Sequence, residues 1–86
     1  MIKLIYAPRF VRHFKHLPNE LQEEALGKIA LFKLDKNHIG LKVHKLHGPL
    51  AGLFSFSVNY KTRIVFEYIS KNEIVLLSIG DHDIYN

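Results

Sequence analysis

The chain contains no cysteine, which excludes disulfides and thiolate metal centres as a source of stability. That composition suits a reducing compartment, and a cytoplasmic location is expected. Long apolar runs are also missing: none approaches the length a membrane span needs, so no membrane partner is expected. Ile2-Lys3-Leu4-Ile5 is too short and too charged to be the apolar stretch of a signal peptide. No repeat, low-complexity tract or break in composition divides the 86 residues. Residues 1–86 should therefore form a single domain around one core. Six Phe and four Tyr supply bulky groups for that core. Acidic residues are the scarce charge, 8 against 12 Lys and Arg, giving a formal net charge of +4 with six histidines beyond that count. A basic balance of this kind favours polyanions through steering and counterion release, and it equally serves plain solubility. Its distribution is more telling: Lys33, Lys36, Lys42 and Lys45 share a short segment with His38 and His44 against the single acid Asp35.

Periodicity orders the elements. Ile2, Leu4 and Tyr6 alternate with Lys3 and Ile5 as a short strand. Pro8 suits a first helical turn, and Phe10, Val11, Phe14 and Leu17 follow at helical spacing with Arg9, Arg12, His13, Lys15 and His16 on the other faces. Pro18 separates this helix from a second, in which Leu21, Ala25, Ile29 and Phe32 form the apolar stripe. Glu20, Glu23 and Glu24 near its start and Lys28 and Lys33 toward its end complement the helix dipole. Asp35 to Gly52 lacks a period and reads as a long loop, a length that commonly carries function. Leu53 to Val58 and Arg63 to Ile69 alternate as strands around a turn at Asn59–Thr62, and after a turn at Lys71-Asn72 the continuous apolar run Ile74-Val75-Leu76-Leu77 suits a central strand. The expected fold is α+β: an N-terminal strand, a helical hairpin, then a three-stranded antiparallel β-sheet with the helices packed on one face and the other face open.

The last residues carry the strongest chemical hint. The apolar run stops at Gly80, and His82 and Tyr85 follow with little chain left, which places them at the rim of the sheet. Arg63, on the neighbouring strand, belongs to the same sheet. Arginine, histidine and tyrosine gathered on a basic domain suit phosphate chemistry. Each also has a plainer reading. Arg63 can pair with Glu67 on its own strand, His44 can be a solvated loop residue, His82 a strand cap and Tyr85 a cover for the core edge. The pairs His13/His16 and His44/His47 have a spacing seen in zinc sites, but no carboxylate at a fixed offset completes either pair, so no metal is assigned.

The order of elements, the Lys45-Leu46-His47-Gly48 loop, the Arg63-Ile64-Val65-Phe66 strand and the Gly80-x-His82…Tyr85 ending together resemble the RelE/ParE superfamily of bacterial toxins. The likeness spans essentially the whole chain. Between Gly52-Leu53-Phe54 and Arg63 the spacing agrees without a gap with the YoeB-like branch. This resemblance implies the toxin of a type II toxin–antitoxin system, an endoribonuclease that cuts mRNA on the ribosome and is restrained by a cognate antitoxin. Its partners would be that antitoxin, the ribosome and mRNA, and it would need no cofactor. Residue by residue, Arg63 falls on the phosphate-binding arginine, His44 on the general base, and His82 and Tyr85 on the terminal histidine and tyrosine. Lys42, Lys45, His47 and Lys61 would meet RNA. Catalytic lysines of RelE stand where this chain has Ser55 and Ser57, so its chemistry would run on histidines. An acidic antitoxin segment would cover the basic surface, with Ile39 and Leu41 as one docking place, unless these two belong to the core. The alternative within the superfamily is a ParE-like toxin that inhibits gyrase and cuts nothing.

Overall fold

A computed structural model describes residues 2–81 of the chain. In chain order the elements are β1 (Lys3–Tyr6), α1 (Pro8–Lys15), α2 (Asn19–Leu34), β2 (His44–Lys45), β3 (Phe54–Ser57), β4 (Arg63–Ser70) and β5 (Glu73–Gly80). Single 3₁₀ turns at Ile39–Leu41 and Gly48–Leu50 flank β2.

All five strands join one sheet, in the order β1-β5-β4-β3-β2. This corrects the expected three-stranded antiparallel sheet. β1 pairs parallel with β5, and β2 pairs antiparallel with β3. The parallel pairing is possible because the helical hairpin and the intervening strands supply the long crossover that two parallel neighbours require. Without β1, the outer edge of β5 would carry unpaired backbone groups. The pairing is closed at both ends, by Lys3 N–H donating to the Asn72 carbonyl at 2.8 Å and Ala7 N–H to the Leu76 carbonyl at 3.0 Å. At the opposite edge, a bond from Leu46 N–H to the Leu53 carbonyl, 2.9 Å, continues β2 beyond its two residues. The long loop expected from 35 to 52 thus holds a strand and two helical turns.

The helices cover one face of the sheet, as their apolar stripes require. Pro8 occupies the first turn of α1, where its missing N–H costs nothing. Phe10 from α1 and Ala25, Ile29 and Phe32 from α2 are buried against Phe56, Ile64, Phe66, Ile74, Leu76 and Ile79 of the sheet. Phe32 is the centre of this layer, stacked on Phe56 at 4.5 Å and edge-on to Phe66 at 4.9 Å between ring centroids. Aromatic pairs of this kind add about 0.5–1.5 kcal/mol each beyond area burial. Gln22 on α2 fastens the hairpin: its Nε2 donates to the carbonyls of Phe14 at 3.1 Å and Leu17 at 3.0 Å. The Phe14 carbonyl also accepts from Leu17 N–H at 3.1 Å, so Gln22 adds a side-chain bond to the closing turn of α1 and a partner for the Leu17 carbonyl beyond it. Leu41 is fully buried while Ile39 is 88% exposed, so these two do not form one surface patch, and Leu41 is core.

The far face of the sheet is less open than expected. Ser55, Ser57, Val65 and Ser78 project from it and are all buried. Leu50 and Leu53 come together with Val65 and Ser78 around a pocket on this face. A bulge helps to shape it. Val65 faces Ser78 but Phe66 faces Leu76, so Leu77 is the extra residue on β5. The slip lets Ile79 return to the helical side and joins Leu77 to the wall opposite. Among the described residues, no helix is long and apolar enough to cross a membrane.

Candidate functional site

Cross-strand partners share a face, so the register fixes which side chains can meet. One row across the sheet runs Ser57–Arg63–Gly80 through β3, β4 and β5. The next row, one pleat repeat away, runs His44–Ser55–Val65–Ser78 from β2 to β5. Arg63 and His44 therefore lie on the same, non-helical face. Two strands and two residues separate them, about 12 Å between Cα atoms on standard strand spacings.

The Arg63 side chain is anchored at the far end of β3. Its Nη1 donates to Ser57 Oγ and, at 3.2 Å, to the Asn59 carbonyl, which holds the guanidinium beside the β3–β4 turn, and His44 does not line the cavity it enters. Glu67 is exposed and is not its partner. Both acceptors are neutral oxygens, which orient the guanidinium without themselves cancelling its charge. Arg63, Ser57, Lys42 and Lys28 line one cavity of about 300 Å³, with Tyr60 at its side. Among the described residues no Asp or Glu lines it. Three cations with no counter-charge in their own cavity raise the local positive potential. Lys42 owes its place to an unusual backbone: it closes the Ile39–Leu41 turn in the left-handed region, φ +50°. A non-glycine residue rarely adopts that conformation, at a cost of about 1–3 kcal/mol, and such strain clusters at functional sites.

The other residues singled out in the sequence are more scattered. Lys45 faces Phe54 and so belongs to the helical side of the sheet, across from His44 and Arg63. His47 is exposed just before the Gly48–Leu50 turn. Lys61 is exposed in the β3–β4 turn, where its N–H donates to Asn59 Oδ1 at 2.9 Å. His82 and Tyr85 lie outside the described residues. Sequence reasoning did not single out Lys28, Ser57 as a partner of Arg63, or the strained Lys42 backbone. The first two needed the register of β3 on β4 and the docking of α2. Among the described residues, no group of three or more His, Asp or Glu converges as a metal site would require.

This arrangement, an antiparallel sheet extended by a parallel N-terminal strand and covered on one side by a helical hairpin, is the fold of the RelE/ParE toxins. No family model and no curated protein sequence matches the chain; the likeness is structural. A YoeB/ParE toxin from Agrobacterium tumefaciens superposes with a TM-score of 0.76 at 18% identity, covering 94% of this chain and 99% of that one. YafQ from E. coli gives 0.74 at 13% identity, over 99% and 98%. The YoeB–YefM toxin–antitoxin heterotetramer from Staphylococcus aureus gives 0.73 at 19% identity, over 95% and 98%.

Proposed function

We propose that the chain is the toxin of a type II toxin–antitoxin pair and acts as a metal-independent endoribonuclease on ribosome-bound mRNA in the cytoplasm. What supports this reading is that His44 and Arg63 share one sheet face, with the arginine lining a cavity together with Lys28 and Lys42. The RelE/ParE-type fold gives it context.

Cleavage would use the substrate's own 2′-hydroxyl. His44 takes the 2′ proton, and the 2′ oxygen attacks the adjacent phosphorus. Arg63, held by Ser57 and the Asn59 carbonyl, stabilises the negative oxygens of the pentavalent phosphorane, with Lys42 and Lys28 adding charge around it. The bond to the 5′ oxygen breaks, and His82 returns a proton to that oxygen. The products are a 2′,3′-cyclic phosphate and a free 5′-hydroxyl. Tyr85 stacks on a base or donates to phosphate in this scheme. Lys45, His47 and Lys61, spread over other surfaces, contribute to RNA or ribosome attraction through charge. An antitoxin partner is proposed by analogy with the YoeB–YefM assembly.

The decisive experiment is translation on purified ribosomes with the message mapped by primer extension. Wild-type protein should cut inside the reading frame, and Arg63→Ala, His44→Gln and His82→Ala should each reduce cutting about a hundredfold or more. Intact message together with inhibited DNA supercoiling would replace this reading with the gyrase-directed one.

A further inference from the structure

The pocket on the far face of the sheet, beside the proposed phosphate site, has a composition that phosphate chemistry does not require. Its volume is about 240 Å³, and Leu50, Leu53, Val65 and Leu77 form its walls. Two polar groups break the apolar lining, Ser78 and Arg9. Ser78 is only 9% exposed, yet its hydroxyl makes no hydrogen bond to another described residue and is not sealed from solvent. It therefore opens into the pocket as an unused donor and acceptor. Arg9, exposed just after Pro8 of α1, likewise has no hydrogen bond or ion pair with a described residue. The position is equally informative. Val65 and Ser78 belong to the row that contains His44, and Val65 is two residues from Arg63 on β4. That is about 7 Å along the strand.

Apolar walls suit the two faces of a planar ring, one hydroxyl suits a polar ring edge, and a free guanidinium at the mouth suits a phosphate or a stacked ring. A purely apolar ligand would strand Ser78 without a partner, and a simple anion would waste the leucines. From this combination we propose that the pocket seats the nucleobase next to the cleaved bond, splayed out of single-stranded RNA. Ser78 reads its edge and Arg9 holds the adjoining backbone. The proposal rests on the ribonuclease reading and adds to it the site at which base preference is set. The bulge at Leu77 is then functional, since it supplies one wall and fixes Ser78 opposite Val65.

The test is methyl NMR of the wild-type protein with each of the four nucleoside 3′,5′-bisphosphates, and with ribose 5-phosphate as the control lacking a base. Ring-current shifts at the methyl groups of Leu50, Leu53, Val65 and Leu77, present with nucleotides and absent with ribose 5-phosphate, are the expected result. Ser78→Ala, which removes only an oxygen, should weaken the preferred nucleotide by roughly three- to tenfold while sparing the others. Leu53→Trp should abolish the base-dependent shifts but retain those at the Arg63 amide. Shifts confined to the neighbourhood of Arg63, identical for all five compounds, would overturn the base pocket and leave the phosphate site standing. Base-dependent methyl shifts in a protein that leaves ribosomal mRNA intact would keep the pocket and remove the nuclease.

Discussion

The two faces of the same sheet are built to opposite specifications. On the helical side, Phe54, Phe56, Ile64, Phe66, Ile74 and Leu76 meet the aromatic and aliphatic stripe of α1 and α2. The other side carries Ser55, Ser57, Arg63 and Ser78, backed by short loops. Strand alternation lets one stretch of chain serve both, because neighbouring residues point in opposite directions. Phe56 and Ser57 are consecutive, as are Arg63 and Ile64, yet one of each pair anchors the core and the other borders the candidate site. Stability and chemistry are thereby separated by one backbone thickness, and substitutions should separate them too.

The harshest challenge to that division is Phe32→Ala. Phe32 is fully buried between Phe56 and Phe66, so the exchange should cost about 3–5 kcal/mol, read by urea unfolding. In a domain this small such a loss removes much of the native population. On the other face, Arg63→Ala should lower cleavage by about 10²–10³-fold, while the urea midpoint moves far less than for Phe32→Ala. Equal losses of stability from the two variants would erase the distinction between the faces. A milder probe is Gly27→Ala on the exposed side of α2. A Cβ there meets no atom within 4 Å, so it should stabilise the domain by about 0.5–1 kcal/mol with cleavage unchanged. Smallest of all should be Glu67→Ala, within about 0.5 kcal/mol in stability. A larger fall, accompanied by lost cleavage, would mean that Glu67 and not Ser57 positions the arginine.

Local pattern carried the reading of this chain a long way. The 3.6-residue stripe placed Ala25, Ile29 and Phe32 in the core, and period-2 alternation placed Arg63 on the face away from Ile64 and Phe66. What failed was non-local. Nothing in Lys3–Tyr6 announces that its neighbour is β5, because parallel pairing leaves no local turn as a signature. His44-Lys45 is too short to alternate, and only pairing with Phe54 and Ser55 makes it a strand. Leu41, in a segment without periodicity, is buried by the return of the chain onto β3 and not by any pattern around it. The site followed the same rule. Residue type flagged Arg63 and His44, whereas their common face, the Ser57 contact and the approach of Lys28 depended on register and packing.

The union of β1 with β5 has a consequence for how the protein is born. Lys3 finds its partner in Glu73, about seventy positions later, so β1 must wait for β5 to be made. Loop closure over such a span is slow and must precede its reward. Gly80, opposite Arg63, emerges after everything else in the sheet, so a chain halted before β5 would lack its outer pair of strands and the flank of its guanidinium together.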